Sequence, residues 1–471
     1  MSDFALFIPA EKFIHFSNAM PDCPADTDWV FSGCYENSLS VEIPALPPRG
    51  CCGWKVELCL KSDPKCPASS TDVFAGAVIC DGNTTLLSPV RSFVNAGEGN
   101  RKICLTPCVR LEPEHPAILT VTRKTADPAD SYPDGSVFSG AVITAVAIPE
   151  EPETVINTPG YNSWPMCQFF KDRLVCTYSR GSAHEISEPN RAVFAKIADR
   201  SGIFEDTEYP VCNTPGRGDV PIGKGIDENG DMLLWVRHCG AGYDFRHRLY
   251  RTTDGKNYEC IAEPDLPEEV IQITDVFHVP GVGLMALYFA GHYREDRNYW
   301  GKLTSSDNGK TWINTVIEKD LPRREWPTEP SAVYLGNGRI LVIARIETNI
   351  PSTDMAQFQI VSTDNGETWK KSKTNITDVR ISTPSLIYDP EKDMVSNYYF
   401  HRGRGILNCR KAKASYIFDH PLEWQAPETI ALGGMDECEA GNVNACGADG
   451  KVYISWYSGI IPDTGVYVKT L

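Results

Sequence analysis

The chain has 471 residues, 42% of them hydrophobic and 23% charged, enough for two or three domains with substantial cores. Its formal net charge of −17 argues against a nucleic-acid partner, because a polyphosphate would be repelled across most of the surface. No run of about 18 apolar residues is present and no basic-then-apolar leader opens the chain, so neither a membrane span nor a secretory signal is expected.

Residues 1–150 read as a β-sandwich or jelly roll. Short apolar or alternating runs at Trp54–Leu60, Val73–Ile79 and Ala117–Thr122 are bounded by turn residues, and no helical period persists. Nine of the 17 cysteines fall between Cys23 and Cys108. They lack CxxC or Cys/His zinc spacing, so reduced packing thiols are expected and no metal or cofactor site is legible. The proline-rich acidic stretch Pro149–Thr154 reads as a linker.

From about residue 155 the sequence repeats. Ser305-Ser-Asp307-Asn-Gly309-Lys-Thr311-Trp312 and Ser362-Thr-Asp364-Asn-Gly366-Glu-Thr368-Trp369 are two copies of S-x-D-x-G-x-T-W, 57 residues apart. A looser copy surrounds Asp254 and Gly255. The aspartate caps a tight turn, the glycine supplies positive φ, and the tryptophan packs beneath the hairpin. Six strand–turn–strand units accompany these turns. They run Trp164 to Arg180, Asp219 to Arg237, Thr274 to Gly291, Glu329 to Arg345, Thr383 to Arg402, and Gly441 to Tyr457. About 53 residues per unit fits four-stranded blades, so an all-β fold with a six-bladed propeller over residues 155–471 is expected. A strand near Thr154–Asn157 is expected to close it.

The turns, the six units and the β-domain ahead of them resemble the sialidase superfamily. The sharpest match is Glu329-Pro-Ser-Ala-Val-Tyr-Leu-Gly-Asn-Gly-Arg-Ile-Leu-Val-Ile-Ala-Arg345. The resemblance implies that Glu329 is the glutamate that activates a nucleophile and Arg345 one of three carboxylate-gripping arginines. It also implies glycosidase activity on a glycan. The chain departs from the family pattern at two places. Ser163-Trp164-Pro165 stands where the family has Arg-Ile-Pro, and no tyrosine stands at Gly441-Asn442-Val443, where the family opens its sixth blade with the nucleophile. The third arginine is Arg402 or Arg404.

Blade geometry gives a site independently of the resemblance. The start of each first strand and the end of each second strand lie at one face and should ring a depression. Those positions hold Trp164, Asp219, Asp275 and Glu329 on one side, and Arg180, Arg237, Arg345, His401, Arg402 and Tyr457 on the other. Arginine forks bind carboxylates and aromatic faces stack on sugar rings, so the expected partner is a carbohydrate, with an acidic one accommodated. Hydrolysis needs an acid and a base flanking the bond. Glu329, Asp275 and Asp219 are the carboxylate candidates, and His184 or Glu185, in the loop after Arg180, is a further acid/base candidate. A non-catalytic glycan-binding protein, such as a viral or phage surface component, remains the alternative, and subunit assembly is left open.

Overall fold

The computed structural model describes residues 5–15, 29–31, 37–44, 51–62, 70–80, 83–94, 101–109, 116–125 and 136–471, except 158, 201, 268, 293–296, 348–355, 435–438 and 461. Nearly all regular structure is β-strand; the one α-helix among these residues is the single turn Ala414–Ile417. No described helix is long and apolar enough to cross a membrane.

The N-terminal strands form two sheets. One runs Ala5–Pro9, Ser136–Ala147, Cys51–Ser62, Arg101–Val109, with Trp29–Phe31 also on Ser136–Ala147. The other runs Ile14–His15, Asn37–Ile43, Ala117–Thr125, Ser70–Cys80, Asn83–Val94. Trp54, Val56, Leu58 and Leu60 point to one side of their strand and share a buried cluster with Leu39, Leu119 and Val121 of the other sheet. Cys51 and Cys59 are free thiols, as are the seven other cysteines described. The remaining N-terminal cysteines, including the Cys104–Cys108 spacing, lie outside the described side chains.

Beyond residue 153, four sheets each consist of four antiparallel strands in chain order, beginning with Gly218–Ile226, Val270–Val279, Pro327–Gly336 and Ser385–Asp389. The first and last repeat units do not form separate sheets. They join in one eight-stranded sheet through a parallel contact of Tyr161 with Thr464. Thr464 Oγ1 donates to the Asn162 carbonyl at 2.6 Å and Asn162 Nδ2 donates to the Thr464 carbonyl at 3.0 Å, which ties the two ends of this part of the chain together. The strand expected near Thr154–Asn157 is Glu153–Ile156, paired with Asp463–Thr470.

First strands pack against first strands in succession. Tyr161–Phe170 contacts Gly218–Ile226, which contacts Val270–Val279, then Pro327–Gly336, Ser385–Asp389 and Ala440–Ala448, which contacts Tyr161–Phe170 again. The approach is close at Gly223 and Gly225. A Cβ there would lie 2.4 Å from the Thr274 carbonyl oxygen and 2.5 Å from that of Val276.

The two full aspartate turns are built alike. Ser305 Oγ and Ser362 Oγ accept from the amides of Gly309 and Gly366, and each aspartate accepts from two amides and a threonine hydroxyl. The tryptophans reach further than their own hairpins. Trp312 packs on Trp235 at 5.3 Å and Trp369 on Trp300 at 5.7 Å, so each pins its turn to the preceding sheet. The threonine hydroxyl and amide bonds hold Asp307 and Asp364 at about 2; burial opposes the same shift at Asp254, where the Asn257 bonds prevail and the value is again about 2. A depressed carboxylate contributes stability that is full above its unfolded value near 3.8 and lost as pH falls through the folded value. Thermal unfolding followed from pH 5 to pH 2 is therefore expected to lose Tm mainly below pH 4. Asp307→Asn with Asp364→Asn should flatten that limb.

Candidate functional site

A cavity of about 270 Å³ opens where the first strands converge. The sheets deliver their side chains to it through a repeated irregularity. Pairing between first and second strands slips at Ser163/Met166, Pro221/Gly223, Ile273/Val276, Thr328/Ser331 and Gly441/Asn444. The slipped residues are Trp164-Pro165, Ile222, Thr274-Asp275, Glu329-Pro330 and Asn442-Val443, and at least one from each slip lines the cavity. A bulge turns a side chain that would otherwise alternate away. Trp164, Glu329 and Asn442 hold φ of 50°, 49° and 47°. Left-handed backbone at a non-glycine residue costs about 1–3 kcal/mol, and strain of this kind collects where a side chain must be aimed.

Seven of the residues singled out from the sequence line this cavity: Trp164, His184, Arg237, Asp275, Glu329, Arg345 and Arg402. Glu329 Oε2 accepts from Arg345 Nη1 at 3.0 Å, while Arg345 Nη2 donates to Glu347 at 2.8 Å. Asp275 is held from below. Lys224 Nζ and backbone N donate to its two oxygens at 2.8 and 3.0 Å, and Asn444 Nδ2 adds a contact at 3.3 Å. Burial pulls the Lys224 ammonium down, but Asp275 together with the Cys446 and Cys167 sulfurs outweighs it and leaves Lys224 above its ordinary range.

Arg237 and Arg402 differ from Arg345. Each is more than nine-tenths buried, at 6% and 5% exposed, and neither forms an ion pair among the described residues. Arg237 Nη1 donates to the Ile271 carbonyl at 2.8 Å, and its guanidinium lies 5.1 Å over Phe245. Arg402 Nη2 donates to Asn442 Oδ1 at 3.0 Å and reaches the Tyr457 hydroxyl at 3.4 Å. Among the described residues, the Nε of each lacks a partner. Three arginines therefore face two carboxylates in the lining, inside a chain of net charge −17.

His184 shares a hydrogen bond of 2.6 Å with the Tyr161 hydroxyl and lies 5.2 Å from the Trp164 ring. Arg191, fully buried, sits 4.9 Å over Trp164 and holds the His184 loop through the carbonyls of Ala183 and Glu185. Burial lowers its pKa. Burial, then the neighbouring Tyr457 and Glu439, push the Tyr161 phenol far above its ordinary range, so it stays protonated.

Four expected ring residues do not line the cavity. The residue paired just before each slip sets the register: Thr328 opposes Arg345, and Ser163 opposes Ser179. Arg180 is one position further, opposite Asn162, and forms a two-pronged pair with Glu208 at 2.9 and 2.5 Å. Asp219 opposes His238, one step from the lining pair Val220 and Arg237, and its carboxylate bonds His238 and Thr214. His401 is fully buried, and Tyr457 supports Arg402 and Trp164 from behind. Glu185 is exposed and caps Ser187. Lys224, Glu347, Asn444 and Arg191 complete the site without having been singled out. The one local signal among them is a lysine in the otherwise apolar and glycine-rich run Val220–Gly225.

No protein-family model matches the chain, and no curated protein matches its sequence. Solved structures do match. A Hadza microbial sialidase superposes with a TM-score of 0.52 at 12% identity, covering 94% of this chain and 96% of its own. The fold is sialidase-like. The NanB sialidase of Streptococcus pneumoniae gives 0.50 at 9% identity, covering 93% and 99%. A protein of unknown function from Dyadobacter fermentans gives 0.54 at 15% identity, over 69% of this chain and 98% of that one. At these identities the likeness extends to the sialidase-like fold and not to activity.

Proposed function

We propose that the chain is a glycoside hydrolase acting on a carboxylate-bearing glycan, with a β-sandwich over residues 1–150 and a six-bladed Asp-box propeller over residues 155–471. The blade reading is supported by the four four-stranded sheets and by the first strands that contact one another around to Tyr161–Phe170. The eight-stranded sheet then supplies two blades, sealed at Asn162 and Thr464.

The observation that carries the substrate class is the pair of buried arginines without a carboxylate partner among the described residues. A buried guanidinium without a counter-charge costs several kcal/mol, and an anionic ligand group would restore that loss on binding. Arg237 and Arg402 are then the anion grip, and Trp164 offers an apolar face to the sugar ring. Glu329 and Asp275 serve as the catalytic carboxyl pair, and His184 stands at the wall as a further proton donor or acceptor. Matched glycans test the grip. Sialylated and uronic-acid oligosaccharides and their carboxyl-amidated forms are compared by calorimetry. Amidation is expected to weaken binding at least 30-fold, about 2 kcal/mol. Equal affinity for both forms would sink the proposed grip.

One observation favours a second reading, a non-catalytic glycan-binding protein. Asn442 occupies the place at which the resembled family opens its sixth blade with tyrosine, and Tyr161 and Tyr457 are both wholly buried. That reading expects the same carboxylate preference and no products.

A further inference from the structure

A separate donor set lies across the strand Gly218–Ile226 from the cavity. Side chains alternate along a strand, so Val220 and Arg237 line the cavity while the adjacent register pair, Asp219 and His238, faces away. There they meet Cys212, the last residue of Tyr209–Cys212 in the neighbouring sheet. One ligand atom from each of Cys212, Asp219 and His238 lies within 4.8 Å of the others. Asp219 Oδ1 is 2.6 Å from His238 Nδ1, and Thr214 Oγ1 is 2.8 Å from the same nitrogen. Asp219 and His238 are 0% and 1% exposed. His238 is only partly satisfied, since its buried Nε2 has no partner among the described residues.

We propose that Cys212, Asp219 and His238 form a binding site for a divalent, borderline-soft metal ion such as zinc, with a fourth position open to Thr214 Oγ1 or water. Three features point to that class. Sulfur and imidazole nitrogen exclude calcium and magnesium, which take oxygen ligands, and match the sulfur, nitrogen and carboxylate set of tetrahedral zinc. A thiolate and a carboxylate together neutralise a divalent charge, which a buried site requires. The donors come from two different sheets, so the ion would staple the outer strand of one to the first two strands of the next. On binding, the Cys212 thiol proton leaves to solvent, and the single hydrogen of the neutral imidazole sits on Nε2, which frees Nδ1 and the Asp219 carboxylate for the metal. That hydrogen has no acceptor among the described residues, so affinity should fall below that of a site with a complete outer shell by roughly 10–100-fold. The assignment is independent of the glycan reading.

Cobalt(II) is the probe, added to the chelator-treated full chain. The expected result is one equivalent bound, with thiolate-to-cobalt charge-transfer absorption. The signal should be lost in Cys212→Ser and His238→Gln and kept in Cys260→Ser, whose cysteine is exposed. Absence of stoichiometric uptake by the unmodified chain overturns the proposal, as does a charge-transfer band that survives Cys212→Ser. Should the Cys212 and His238 variants fail to fold, the anomalous signal of cobalt in crystals of the unmodified protein decides. An ion at His238 supports the site, and an ion elsewhere or none refutes it.

Discussion

Arg402→Met is expected to weaken binding of a carboxylate-bearing glycan by about 2–5 kcal/mol while leaving the free protein as stable as before, or more so. The two effects have one cause. Arg402 is buried, spends one nitrogen on Asn442 and Tyr457, and has no carboxylate partner among the described residues. Its desolvation therefore goes uncompensated until a ligand anion arrives, and methionine replaces the side chain as far as Nε without that cost. Arg237→Met should behave likewise, since among the described residues its guanidinium bonds the Ile271 carbonyl, lies over the Phe245 ring and stands beside the Cys239 thiol, with no carboxylate partner. Arg345→Met supplies the contrast. It would leave Glu329 and Glu347 buried side by side without their shared cation, and it should destabilise the fold by about 3–5 kcal/mol. Calorimetric affinity and thermal unfolding on the three variants separate the roles. If Arg402→Met unfolded the protein as readily as Arg345→Met, the anion grip would be a structural pair instead.

Glu329→Gln is expected to lower kcat by about 10²–10⁴-fold with substrate affinity little changed. The amide keeps the shape and a hydrogen bond to Arg345, which retains Glu347, so the cost in stability should be about 1 kcal/mol. Asp275→Asn must be read differently. It removes the carboxylate paired with the buried Lys224, and a loss of activity there would mix with a loss of folding stability. Thermal unfolding measured beside the rate tells the two apart, and Glu329 is the cleaner probe.

The repeat was legible because it is local. Every group of the S-x-D-x-G-x-T-W turn bonds within four residues, so spacing alone announces it. The site was legible where a residue sits at a strand start and is turned inward by a bulge, as at Trp164, Asp275 and Glu329. It was misread where strand pairing mattered to a single position. Arg180 and Asp219 each lie one residue from the inward register, and one residue reverses the face. The supporting groups were beyond reach for another reason. Lys224 and Asp275 are 51 residues apart, and Asn444 and Asp275 are 169 apart. No pattern in the chain marks such pairs until the sheets are assembled. The fusion of first and last units was hidden similarly, since it rests on Asn162 and Thr464, 302 residues apart.

The most direct test of the central claim is a product screen by mass spectrometry over sialylated, uronic-acid and neutral glycans, run on the unmodified protein and on Glu329→Gln. The account predicts products from carboxylate-bearing glycans with the unmodified protein alone. Products from neutral glycans only, or products that persist undiminished in Glu329→Gln, would contradict it. Carboxylate-selective binding with no products from any glycan would contradict the hydrolase and leave a glycan-binding protein in its place.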